Sequence, residues 1–494
     1  MRAPASASSP PPEARSGLPP WQLAELPLAP DPRGLGWLSA VGPGVIVLGA
    51  SIGSGEFLLG PAAFVQYGLT LLWVTAVAAF LQTIFNTEVV RYTVATGEPA
   101  FTGFMRTRPR ATTWAWFYAI AYFLQLGWPA WAGASAGAVF FLVTGRVAAV
   151  GDEGVVYSIG VGTFLLCVAV LLVGRRIERT LEVLNWILVV ATLGGLLFLA
   201  LWLVPLATWK AAAAGFIGFD AAAGEFRFLP SRADFFLIGA FAAYSGAGGV
   251  VNITLSNWAR DKGYGMGQRV GFIASAIGGP KVELKHTGFI FAPTAGALAR
   301  WRGWWRIVRA DQWGVYFPGA LLGMALPALL YVTFLEPGTD IRGLGIAAAL
   351  AQAMGDRAGA AVGIAVAFLG AWLLFKTQLD LIEGTVRATT DLLWTGSARV
   401  RGWRNGDVRA VYYSVLGGLV LWGVVALRLA QPIVLLQLSA NLAGLILAIA
   451  SLHILRVNTT LLPEEVRPPL WRRLALLAQA AFYGAFVLLW LFGR

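Results

Sequence analysis

The chain has 494 residues, of which 57% are hydrophobic and only 13% charged, with a net charge of +12 and a mean hydropathy of +0.69. A soluble domain carries about 25% charged residues, whereas apolar residues here recur in blocks of about 20, the length that spans ~30 Å of hydrocarbon. The composition therefore excludes a soluble fold, the single cysteine, Cys167, excludes a disulfide framework or a cysteine metal cluster, and the basic excess reads as membrane-flanking Lys and Arg rather than a surface for nucleic acid.

Residues 1–33 are rich in Pro, Ala and Ser and carry no apolar run, which predicts a disordered cytoplasmic tail without a signal peptide. Residues 34–494 form the transmembrane domain. Eleven spans are predicted at about 37–65, 68–91, 112–143, 156–174, 180–206, 234–257, 313–335, 357–380, 408–428, 432–455 and 471–492, with Arg428 and Pro432 marking the turn between the ninth and tenth. Alternate loops are rich in arginine: Arg106, Arg108 and Arg110, then Arg175, Arg176 and Arg179, then a long basic connection over 258–312, then Arg399, Arg401 and Arg404, then Arg467, Arg472 and Arg473. The opposite loops are balanced, as in Arg146 with Asp152 and Glu153. The positive-inside rule then places the N-terminus in the cytoplasm of a multi-pass protein of the cell membrane. The 258–312 connection holds Trp301-Arg302-Gly303-Trp304-Trp305-Arg306 and is read as a small cytoplasmic subdomain under the bundle, with a headgroup-level surface as the alternative.

Two spans are interrupted by small residues. The first reads Gly42-Pro43-Gly44, then Gly49-Ala50-Ser51-Ile52-Gly53-Ser54-Gly55-Glu56, and the sixth reads Ala243-Tyr244-Ser245-Gly246-Ala247-Gly248-Gly249. Glycine weakens a helix interior by about 1 kcal/mol relative to alanine, and backbone groups freed in a bilayer need protein or a water-filled cavity. One interruption opens the first five spans and the other opens the second five, the arrangement that marks a midplane substrate site in transporters built from repeats. Glu56 falls in the first interruption. An ionised carboxylate at the bilayer centre costs about 2.5–3.5 kcal/mol, so a cation or a proton is expected on it.

Further polar residues fall within the spans. Asn86 and Glu88 lie in the second, with Arg91 at ion-pair spacing from Glu88, and read equally as a structural pair or as part of a coupling network. Lys376, Gln378, Asp380 and Glu383 lie in or just after the eighth, where Lys376 and Asp380 are spaced for a salt bridge and Gln378 is a candidate cavity residue. Asn441, in the tenth, reads equally as helix–helix glue or as part of a coupling network.

Gly42-Pro43-Gly44 before a broken first helix, Tyr67-Gly68-Leu69-Thr70-Leu71-Leu72-Trp73, Thr96-Gly97, Gly174-Arg175-Arg176-Ile177-Glu178 and Glu383-Gly384-Thr385 together resemble the Nramp family of divalent-metal transporters. The resemblance implies an all-α integral membrane fold of the LeuT type: two inverted five-helix repeats plus one extra helix, broken first and sixth helices, and alternating access. It departs at the metal ligands. The family's Asp-Pro-Gly-Asn falls on Gly53, Ser54, Gly55 and Glu56, and its Met-Pro-His on Ala243, Tyr244 and Ser245. Neither histidine, His286 or His453, falls on a proton path, and no acid stands in the third span around Gly127-Trp128-Pro129.

The site so matched offers Glu56, the hydroxyls of Ser51, Ser54, Tyr244 and Ser245, and freed carbonyls. These are hard oxygen donors, suited to Mg²⁺ or Mn²⁺ as a transported ion rather than to a soft metal. A transporter of a hard divalent cation, coupled to a proton or Na⁺ and holding no tightly bound cofactor, is the first reading. An amino-acid-like organic-solute symporter on the same fold is the second, and a non-transporting membrane sensor using 258–312 is the third. No nucleophile–base pair marks an enzyme. The sequence sets no oligomeric state, and a monomer suffices.

Overall fold

The computed structural model describes residues 17–172, 177–230, 232–272, 285, 287–339, 341, 345–429 and 431–493. The helices in chain order are α1 (Gly36–Ala40), α2 (Pro43–Ser51), α3 (Gly60–Tyr67), α4 (Leu72–Thr96), α5 (Ala100–Met105), α6 (Ala111–Leu126), α7 (Ala130–Thr144), α8 (Glu153–Leu172), α9 (Ile177–Leu203) and α10 (Leu206–Gly215). They continue with α11 (Phe235–Ala243), α12 (Val250–Lys262), α13 (Gly267–Val270), α14 (Ala295–Asp311), α15 (Phe317–Phe334), α16 (Ile346–Ala358), α17 (Ala360–Gly396), α18 (Ala398–Arg401), α19 (Val408–Ala426), α20 (Pro432–Thr460) and α21 (Leu470–Phe492). The described residues also form four two-residue strands, β1 (Gln22–Leu23), β2 (Phe219–Asp220), β3 (Glu225–Phe226) and β4 (Phe289–Ile290), and short π and 3₁₀ turns.

Among the described residues, ten helical segments are long and apolar enough to cross a membrane. The predicted sixth span is the two half-helices α11 and α12, each too short to cross alone. The first spanning segment, Pro43–Tyr67, is wholly buried, whereas α8, α19 and α21 bury only 28% of their most apolar stretch. The first helix therefore sits at the centre. The outer helices turn leucines such as Leu166, Leu421 and Leu474 outward, a surface that only lipid covers at no cost. Local chemistry sets the ends: Pro43 and Pro432 stand in first turns, and Asp234 caps α11 by accepting from the N–H groups of Phe236 and Leu237.

The structure differs from the expected spans in three places. The predicted third span is two helices, α6 and α7, parted at Gly127-Trp128-Pro129, where Pro129 removes a backbone donor. The eighth runs on to Gly396 rather than ending near 380, so Glu383 and Arg387 lie inside a 37-residue helix. The described part of the 258–312 connection is largely helix: α12 continues to Lys262, and α14 runs into α15 through wide turns at Gln312–Tyr316. Its centre, 273–284, and the landmark residues Gly174, Arg175 and Arg176 lie outside the described residues.

From Gly17 onward the expected disordered tail is instead a strap docked on the bundle; residues 1–16 lie outside the described residues. Leu18 and Leu26 are buried, β1 pairs with β4 in parallel, and the carbonyls of Pro19, Glu25, Leu26 and Pro27 accept from Arg106, Arg269, Arg300 and Trp304. Composition misses this because two buried leucines and four backbone carbonyls suffice when the donors, three arginines and a tryptophan, come from distant parts of the chain. Glu98, beside the strap, holds Arg106 at 2.5 Å. Burial pushes the Glu98 carboxyl up, but the Arg106 guanidinium, with the Tyr92 hydroxyl and the Gly288 N–H, brings it below its ordinary value.

Candidate functional site: paired helix breaks at the centre of the bundle

In the first break, Ile52–Leu59 forms wide π-type turns, closed by the Gly60 N–H donating to the carbonyl of Gly55. Gly55 is required by its neighbour: a Cβ there would stand 1.6 Å from the carbonyl oxygen of Tyr244. This contact brings the two predicted breaks together. Gly53 backs onto Thr377, whose hydroxyl donates to the carbonyl of Gly49 at 3.1 Å. Ser54 donates to the Ala50 carbonyl and accepts from the Trp131 indole N–H at 2.9 Å. Ser51 donates to Glu56 Oε1, and Glu56 Oε2 is buried with no hydrogen-bond partner among the described residues. The Glu56 side chain lies against Gly323 of α15, so it leaves the first helix on a different side from Gly55.

In the sixth break, residues 244–249 are unwound, with Gly246, Gly248 and Gly249 at φ of 136°, 77° and 60°, a region open to glycine. Two glutamines satisfy most of the freed backbone. Gln82 Nε2 donates to the Ala243 carbonyl, and its Oε1 accepts from the Gly248 N–H, both at 3.3 Å. Gln125 Nε2 donates to the Gly248 carbonyl at 3.1 Å, and its Oε1 accepts from the Val250 N–H at 3.0 Å. The Ala247 N–H donates to Tyr316 Oη at 3.1 Å. Asn252 bridges Gln82 and Asn86 at 3.1 and 2.8 Å. The Tyr244 and Ser439 hydroxyls meet at 2.6 Å, and Ser245 donates to the Phe241 carbonyl with the Thr75 hydroxyl 3.3 Å away.

Other predicted residues surround this centre at varying distance. Gln378 accepts from the Ala132 N–H at 3.1 Å, and so caps the start of α7 at the third break. Lys376 pairs with Asp380, which also accepts from Asn185 at 3.1 Å; Asn185 in turn abuts Gly49 of the first helix. Glu383 accepts from the Trp258 indole at 2.8 Å and pairs with Arg387. Glu88 pairs with Arg91 as its spacing predicts, and also with Arg472, near the end of α4 and away from the breaks. Asn441 donates to the carbonyl of Phe236 at the opposite end of α11. His453 is buried in α20 against Thr107 and Tyr118.

Sequence reasoning missed Gln82, Gln125, Asn252, Tyr316 and Asp311. The two glutamines did leave a signal, as lone amides inside apolar spans. Asp311 left none: it accepts from the N–H groups of Gly42 and Gly44, both at 2.8 Å, and so pins the start of α2 from 267 residues away.

No protein-family model matches the chain, and no curated protein matches it. Solved structures do. The manganese transporter of Eremococcus coleocola, in complex with an aromatic bis-isothiourea substituted compound, has 13% identity and a TM-score of 0.62, over 97% of this chain and 90% of that one. Two mutants of that transporter give TM-scores of 0.64 and 0.62, also at 13% identity, over 95% of this chain and 89% of theirs. The likeness is one of fold. The chain has the all-α, multi-pass membrane architecture that the resemblance implies, shared with a transporter over nearly its whole length.

Proposed function

We propose that this protein is a secondary transporter that moves a small cation, favoured a hard divalent ion such as Mg²⁺ or Mn²⁺, by alternating access around the paired breaks. Its arginine-rich face and N-terminus lie in the cytoplasm, and the membrane is the cell membrane. The observation that carries this reading is Glu56: a carboxylate at the helix break with one buried oxygen that no group among the described residues satisfies. Leaving such a group unsatisfied costs about 1–3 kcal/mol or more, so a proton or a cation shares it during the cycle. Ser51 and freed carbonyls supply the further oxygens that a hard ion takes along with retained water. The Lys376–Asp380 pair, at the contact of α17 with α9, is the candidate for coupling that event to a proton.

Glu56→Gln keeps the shape and the Ser51 bond but removes the charge. Mn²⁺ and Mg²⁺ uptake into proteoliposomes is expected to fall at least about tenfold, which corresponds to about 1.4 kcal/mol of lost attraction. Unchanged uptake in this variant removes Glu56 from the mechanism.

A second reading is an organic-solute symporter. It is favoured by the neutral amides and phenols around the sixth break, and by the absence, among the described residues, of any group of three or more His, Cys, Asp or Glu able to hold a metal. Thermal stabilisation that saturates with an amino-acid-like solute, and not with either ion, selects it.

A further inference from the structure

The bundle carries a concentration of cationic groups where α14 crosses α4 and the start of α21, and no transport role uses it. Glu88 is fully buried and shared by two guanidiniums: Arg91 Nε at 2.7 Å and Arg472 at 3.0 Å. One carboxylate between two arginines leaves an unbalanced positive charge in a poorly solvated place. The Trp305 ring lies between the same two arginines, 4.1 Å from Arg91 and 5.0 Å from Arg472. Arg309, one turn along α14 from Trp305, is exposed and within electrostatic reach of Arg472. Arg302 and Arg309 have no carboxylate partner among the described residues, and Arg306 meets only Asp31 at 3.7 Å across an exposed gap. The remaining acids nearby by sequence are Asp311, buried and taken up by the N–H groups of Gly42 and Gly44, and Glu464 and Glu465, which are exposed in the loop before α21.

The same place lies at the edge of the apolar belt. Trp313, one turn beyond Arg309, packs on the exposed Phe80 at 5.6 Å. On α21, Leu470, Trp471, Leu474 and Leu477 are all exposed, beginning two residues before Arg472. Arginine and tryptophan at one level above an exposed leucine stripe is the arrangement of a headgroup zone over acyl chains. Guanidiniums bind phosphate oxygens in pairs and hold them even when partly desolvated.

We propose that this surface binds an anionic phospholipid: the phosphate at Arg309 and Arg302, beside the Arg91–Trp305–Arg472 stack, and the acyl chains along Leu474 and Leu477. The bound lipid supplies the missing negative charge and ties α14 to α21. Because α14 also carries Asp311, which holds the start of the first helix, lipid occupancy stabilises the face of the bundle where that helix begins.

The test uses delipidated full-length protein in a neutral detergent and needs no transport substrate, so its outcome is separate from that of the transport reading. Phosphatidylglycerol, phosphatidylcholine and inorganic phosphate are each titrated, reading the thermal unfolding midpoint and the lipid adducts retained in native mass spectrometry. Phosphatidylglycerol alone is expected to raise the midpoint and remain bound. Arg309→Ala should weaken it about fivefold, the factor for one basic residue at an anionic surface, and Arg302→Ala with Arg309→Ala roughly 25-fold. Arg399→Ala, an exposed arginine elsewhere in the chain, should leave it unchanged. Equal effects of phosphatidylcholine or free phosphate, a wild-type response in Arg309→Ala, or the same loss in Arg399→Ala each overturns the proposal.

Discussion

The two central breaks solve one problem in opposite ways. The first keeps its helical path: the chain widens into π turns, and its own Ser51 serves its own Glu56 five residues on. The sixth abandons the helix for six residues, and borrowed side chains, chiefly Gln82 and Gln125 from α4 and α6, satisfy the exposed backbone. Among the described residues, the break closed from within leaves a carboxylate oxygen over, Glu56 Oε2, whereas what is left over beside the break closed from outside is neutral amide, Asn86 Nδ2 and Asn252 Oδ1. On the proposed reading, the first break is the one that takes up a proton or a cation, and the second is the frame packed beside it. A third region does the same work with charge: at the strap, carboxylate–guanidinium pairs replace amides.

Substitutions should grade this contrast. Gly55→Ala is expected to be the most severe, at about 3 kcal/mol, because its Cβ meets a main-chain oxygen that cannot move without rebuilding both breaks. Thermal unfolding in detergent reads this loss, and a near-native midpoint would mean that the breaks do not interlock. Gln125→Leu comes next, at about 2 kcal/mol, since at similar volume it orphans the buried Val250 N–H and leaves the Gly248 carbonyl with the Val251 N–H as its remaining donor. Ser51→Ala should cost only about 1 kcal/mol, yet should change Mn²⁺ uptake more than Gln125→Leu does at matched stability. The reverse order would make the sixth break the reactive one.

The smallest effect separates charge from amide. Glu98 is depressed in the folded protein, so its contribution is present above the ordinary glutamate value of about 4.3 and is lost as pH falls through the lowered one. Protease protection of the strap should therefore be flat from pH 8 to about 5 and decline in more acidic buffer. Glu98→Gln should flatten that decline while reducing protection at neutral pH. Acid-insensitive protection in the wild type would mean that β1–β4 pairing and buried Leu26 hold the strap unaided.

The sequence alone determined what local chemistry decides. Apolar length set the crossings, Asp234 and the first-turn prolines set helix ends, glycine runs marked two of the three breaks, and i,i+3 and i,i+4 spacing paired Glu88 with Arg91 and Lys376 with Asp380. It also singled out Glu56, because a lone carboxylate in an apolar helix stands out without any partner in view. Tertiary structure decided who answers each unsatisfied group. Gln82 reaches the Gly248 N–H across 166 residues, Asp311 the Gly42 N–H across 269, and Arg472 reaches Glu88 across 384. A hydrogen bond is a short-range condition on position, and sequence separation carries no information about it until the helices are packed. For the same reason the docked strap stayed out of sight: it depends on a few groups whose partners the chain supplies from far away.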